Sequence, residues 1–127
     1  MPRGRCLCGG VTFRFDADAV IWRGHCHCES CRRNCAAAFT TFFGVRDDAW
    51  EWTGAAPAEY RHSEHATRSF CPTCGTPMAY RSTQQPGEMH FYAAGLEDHS
   101  AFEPEQHFHW SEHVPWVDLS DHLPRKG

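Results

Sequence analysis

The chain has 127 residues, a net charge of −4 with histidine neutral, and 41% hydrophobic and 13% aromatic residues. That length bounds one domain and one core, and no run approaches the ~20 apolar residues of a membrane helix. With Lys126 as its one lysine and a negative balance, the chain is not built to hold nucleic acid through phosphate contacts.

Residues 1–5 run into Cys6 without the apolar stretch of a secretory leader, so the expected compartment is the cytoplasm, where thiols stay reduced. Residues 6–10, CLCGG, read as a tight turn that the glycines permit. Residues 11–15 alternate apolar and polar, the pattern of a half-buried strand. Residues 16–18 read as a turn and residues 19–23 as a second strand. Residues 29–34 read as a short helix capped by Ser30, with its N-terminus aimed at neighbouring thiolates. Strands are expected at 39–45, 50–52, 60–62, 67–70, 78–81, 89–94 and 108–110, with a hairpin turn at 84–87. The tail from residue 114 carries too many turn residues for a long helix. Short strands with frequent turn signals, and no long amphipathic helix, predict a mostly β protein with one domain over residues 1–127.

All eight cysteines fall into three places. Cys6 and Cys8 stand near the start, and Cys71 and Cys74 lie in FCPTCGT. Cys26, Cys28, Cys31 and Cys35 lie within ten residues, in GHCHCESCRRNCA. In a reduced compartment such spacing reads as metal binding rather than disulfides. Zinc prefers thiolates in a tetrahedron. The two outer pairs, each followed by glycine, supply a complete four-sulfur set, which predicts a structural zinc tying the N-terminus to the middle of the chain. Cys26, Cys28 and Cys31 supply three ligands and leave a fourth position for water or substrate, the pattern of a catalytic zinc. Cys35 follows Cys31 by about one helical turn. If it turns inward the second site is closed and purely structural. An iron–sulfur cluster is a further alternative, although the spacing departs from ferredoxin-type runs.

The ten histidines are assigned no ligand role. His25 and His27 alternate with cysteines on an extended segment and are expected to point away from the metal. His107, His109 and His113 are expected on an exposed strand and loop.

The segments RCLCGGVTF, GHCHCESCRR, FCPTCGTPMAYRS and VPWVDLSDHLP together resemble the glutathione-dependent formaldehyde-activating enzyme family, also called the centromere protein V type. The resemblance runs from about Arg3 to Pro124. It implies an Mss4-like (β-tent) zinc-binding fold with two zinc ions per chain. By position, Cys6, Cys8, Cys71 and Cys74 match the structural ligands, and Cys26, Cys28 and Cys31 match the catalytic site. Cys35 stands where the family more often carries a small or polar residue. The implied activity is that of a carbon–sulfur lyase acting on a thiol–aldehyde adduct, S-hydroxymethylglutathione, formed from glutathione and formaldehyde.

Glutathione is anionic, so its carboxylates call for arginine. Arg32 and Arg33, directly after the ligands, are the candidate substrate-binding residues, with Arg46 and Arg81 behind them. Phe39, Phe42 and Trp116 are candidates for the pocket wall, with core packing the expected role of each. No residue stands out as a general base. The competing class is a non-enzymatic zinc module that binds a protein partner, and it requires both sites to be closed.

Overall fold

Period-two alternation organises this protein, because each strand of its main sheet has a different structure on either face. A computed structural model describes residues 1–127. Ten strands are arranged in two sheets: β1 (Arg3–Arg5), β2 (Thr12–Phe15), β3 (Val20–Cys26), β4 (Thr40–Arg46), β5 (Trp50–Trp52), β6 (Ala58–Arg61), β7 (Ala66–Phe70), β8 (Pro77–Ser82), β9 (Glu88–Tyr92) and β10 (His107–Phe108). The small sheet has the order β1-β2-β5 and the large sheet the order β10-β3-β4-β9-β8-β7-β6. One α-helix, α1 (Glu29–Cys35), connects β3 to β4. The protein is mostly β and has one principal core, as the strand-and-turn pattern predicts.

On β4 and β9 the neighbours Phe42 and Phe43, and Phe91 and Tyr92, point to opposite faces. Phe43 and Phe91 join Phe13 and Phe15 of β2 in the main core between the sheets. The Phe13 and Phe91 rings stack at 4.1 Å, and Phe15 meets Phe43 at 4.8 Å. Phe42 and Tyr92 lie on the other face, in a small cluster with Cys31 of α1. The large sheet therefore separates two environments. Cys6 and Cys71 belong to the main core, whereas Cys31 lies in the small cluster behind the sheet.

Two glycines let aromatic rings lie on the sheet. Gly44 is the cross-strand partner of Trp22, and a Cβ there would collide with the indole. A Cβ on Gly24 would collide with the Phe108 ring. Trp22 and Phe108 pack edge to face at 5.3 Å and line the same cavity. Gly44→Ala is thus expected to displace Trp22, with an overpacking cost of about 1–3 kcal/mol. A thermal melt should fall by several degrees, together with a change in tryptophan fluorescence. An unchanged melt would mean that the indole moves aside freely.

The expected elements recur with shifted ends. Residues 108–110 differ more: β10 stops at Phe108, and Trp110–Glu112 forms a 3-10 turn. The reason is His109, which takes a left-handed backbone (φ 54°) and breaks the strand.

Candidate metal centres

The first centre is made from two matching turns. Cys6 leaves β1 and Cys71 leaves β7, each in position to curl its chain around its own sulfur. The Val11 N–H donates to Cys6 Sγ at 3.3 Å, and the Cys74 N–H donates to Cys71 Sγ at 3.4 Å. Gly9 and Gly75 take positive φ angles of 82° and 80°, which other residues adopt only at a cost. The turns are also joined to each other, since the Leu7 N–H donates to Thr76 Oγ1 at 3.0 Å.

The four sulfurs of Cys6, Cys8, Cys71 and Cys74 lie within 4.8 Å of one another. Cys6 and Cys8 are 3.6 Å apart, and Cys8 and Cys71 are 3.8 Å apart. A tetrahedral ion with Zn–S bonds of ~2.3 Å has edges of about 3.8 Å, so the donor set fits zinc in chemistry and in span. The Thr76 hydroxyl lies 3.1 Å from Cys74 Sγ and holds that thiol down to about 5, in the thiolate form a metal requires.

The second centre lies behind the sheet. β3 delivers Cys26, the next turn delivers Cys28, and α1 delivers Cys31. The three sulfurs also lie within 4.8 Å of one another, with Cys26 and Cys31 at 3.8 Å. Cys28, not Ser30, is the helix N-cap: its sulfur accepts the Cys31 N–H at 3.4 Å. Ser30 instead sits in the first turn, with its hydroxyl 3.5 Å from Cys28 Sγ. Cys28 is the thiol held low, chiefly by hydrogen bonding from Cys26 and then from Cys31.

Cys35 does not join them. It is the last residue of α1, and its sulfur is not among the three that lie within 4.8 Å of one another. Its sulfur receives the Asn34 side-chain amide at 3.7 Å and lines a separate cavity of about 610 Å³. Cys35→Ser is therefore expected to leave the metal content and the melting temperature essentially unchanged. Loss of one metal equivalent from this variant would place Cys35 among the ligands.

The three-sulfur group opens on a cavity of about 380 Å³. Phe42, Tyr80, Trp22 and Phe108 supply its aromatic wall, and Arg68, Glu88, His90 and His109 its charged or titratable groups besides the cysteines. Glu88 accepts from Trp22 Nε1 at 3.1 Å and lies 2.6 Å from His90 Nε2, which places the His90 proton on that nitrogen. Burial lowers the His90 pKa, so its neutral form prevails.

Other expected residues lie elsewhere. Arg32 donates through Nε to the His27 carbonyl at 3.1 Å, and Arg33 is exposed and paired with Glu29; neither lines the cavity. Arg46 pairs with Asp48, and Arg81 grips Asp47 with two nitrogens. Phe39 lines the Cys35 cavity, while Trp116 is 72% exposed and walls nothing.

The histidines correct another expectation. His107 is fully buried rather than exposed. It sits between Asp121, at 3.0 Å, and His27, whose Nε2 lies 2.8 Å from His107 Nδ1. Hydrogen bonding from His107 holds Asp121 down to about 2, and burial holds His27 down to about 4. This chain fastens the C-terminal tail onto the segment that carries Cys26 and Cys28.

Arg68 was not singled out in the sequence, although a signal was present. Alternation in ATRSF places it on the same face of β7 as Ala66 and Phe70, an arginine on an otherwise apolar face.

Residues 1–112 match the family described as glutathione-dependent formaldehyde-activating enzyme. A Schizosaccharomyces pombe protein described as an uncharacterized lyase is 31% identical over 83 residues, covering 63% of this chain and 57% of that protein. The chain thus matches little more than half the length of that relative. The crystal structure of a Rhodobacter sphaeroides protein superposes with a TM-score of 0.62 at 24% identity, covering 80% of this chain and 91% of the other, and it establishes likeness of fold. No helix is long and apolar enough to cross a membrane.

Proposed function

The chain belongs to the glutathione-dependent formaldehyde-activating enzyme family, and from that premise we propose that it is a zinc-dependent carbon–sulfur lyase-type enzyme. It makes or cleaves a thiol–aldehyde adduct, with glutathione and formaldehyde as the pair that the family description suggests. The observation that carries this reading is the three-sulfur group at the cavity. Cys26, Cys28 and Cys31 have no fourth cysteine, histidine or carboxylate beside them, so a tetrahedral ion held there has one position for a substrate donor.

Zinc in such a centre would supply a thiol held as thiolate at neutral pH. Cys26, Cys28 and Cys31 hold the ion, and the structural set of Cys6, Cys8, Cys71 and Cys74 secures the fold on the other face of the sheet. In the forward reaction a sulfur–carbon bond forms, the carbonyl π bond breaks, and the thiol proton ends on the former carbonyl oxygen. Glu88 and His90 are the pair placed to hold or release a proton at the cavity, at His90 Nε2 and Glu88 Oε1. Phe42, Tyr80, Trp22 and Phe108 give the cavity an apolar wall beside these polar groups.

The competing reading, a closed zinc module that binds a protein partner, needs Cys35 as a fourth ligand. The Cys35 sulfur lies outside the group of sulfurs within 4.8 Å of one another, which weighs against it. The test pairs metal analysis of the purified chain with NMR exchange measurements on glutathione and formaldehyde. Two zinc ions per chain and faster adduct exchange than in buffer are expected. One zinc ion with exchange at the buffer rate would overturn the proposal.

A further inference from the structure

Arg68 is buried, with 3% of its surface exposed, and no carboxylate pairs with it. Its guanidinium lies 4.8 Å over the Tyr80 ring and donates to the Tyr92 hydroxyl at 2.8 Å and to Ser30 Oγ at 3.1 Å. It also approaches Cys31 Sγ at 3.6 Å. An arginine does not lose its charge in a protein, and a buried charge needs a counterpart. The tyrosine and serine hydroxyls are neutral. The nearest anionic chemistry is the cysteine group itself, which puts a fixed cation beside the sulfurs and at the wall of the cavity they open on.

Three thiolates around a divalent ion leave one net negative charge, and a thiolate as fourth ligand makes two. In a site partly shielded from water that second negative charge is opposed by the first. We infer that Arg68 is the counter-charge of the three-cysteine centre, and that it makes the centre accept an anionic sulfur as fourth ligand in preference to a neutral nitrogen donor. The residue acts through the centre and is a positioning residue. This inference rests on the metal-centre reading above and adds the source of its preference for thiols. The hydroxyls of Ser30 and Tyr92 fix the guanidinium, so its charge is held in place at no cost in reorganisation.

Calorimetry on the zinc-loaded full chain tests this with two uncharged probes, 2-mercaptoethanol, which binds as thiolate, and imidazole, which binds neutral. Arg68→Gln is expected to weaken 2-mercaptoethanol binding by at least ~10-fold and imidazole binding by less than about threefold. Arg68→Lys keeps the charge and is expected to stay within about threefold of the unaltered chain for both probes. Equal losses for the two probes in Arg68→Gln, or no loss for either, would overturn the inference, as would an Arg68→Lys loss as large as that of Arg68→Gln. If Arg68→Gln sheds the central zinc, Arg68→Lys decides. Zinc kept in Arg68→Lys supports the counter-charge, and zinc lost from both variants makes Arg68 a packing residue and overturns it. Failure of the metal-centre reading itself would look different: the unaltered chain would carry a single zinc.

Discussion

Cys71→Ser is expected to unfold the protein. Cys71 is 1% exposed and sits in the main core, with its sulfur 3.8 Å from Cys8 and its backbone carbonyl bonded to the Gly75 N–H at 2.8 Å. Its loss removes one of the four sulfurs of the proposed structural zinc site, which joins β1 to the turn between β7 and β8. Apparent binding free energies of structural zinc reach ~10–16 kcal/mol in small zinc-dependent domains. Whole domains are stable by only ~5–15 kcal/mol, so a variant that no longer holds the zinc loses a contribution as large as the whole margin. Circular dichroism and metal analysis check this, with Cys35→Ser as the control that removes a thiol outside both groups. A Cys71→Ser chain that melts at the original temperature with two metal equivalents would show that this group is not a structural metal site.

Cys28→Ser is expected to separate function from folding. Serine is itself a favourable N-cap, so α1 keeps its first turn when the Cys28 sulfur is replaced. The affected group lies behind the large sheet, away from the main core. The variant should therefore remain folded, retain one zinc instead of two, and lose adduct exchange by at least about 1000-fold, roughly 4 kcal/mol of barrier. Full exchange with two zinc ions retained would remove Cys28 from the centre. Unfolding would mean that the second centre, too, is needed for the fold.

The grouping of seven cysteines was legible because two cysteines on one tight turn must converge wherever the turn lies. The strands were legible for a similar reason. Val11 to Phe15, or Phe39 to Val45, alternate or cluster strongly enough that the backbone has one good way to bury them. The ends were less legible. Whether β4 begins at Phe39 or Thr40 depends on pairing with Cys26 across the sheet, not on the residues alone.

Arg32 and Arg33 show the limit of adjacency. They follow the ligands directly in sequence, yet the helix turns one back onto the His27 carbonyl and the other out to Glu29. The cation that reaches the cavity is Arg68, from a strand on the far side of the sheet order. His107 is a parallel case. Its neighbours in sequence suggest an exposed loop, but Asp121 and His27 enclose it from both sides.

The sequence by itself determined the donor chemistry, the turn geometry around each cysteine pair and the mostly β architecture, since all three follow from residues a few positions apart. Tertiary structure decided that Cys35 stands outside the three-sulfur group and which charge faces that group. Those outcomes depend on how α1 seats against the sheet and on strand order, which bring together residues tens of positions apart and separate others only four apart.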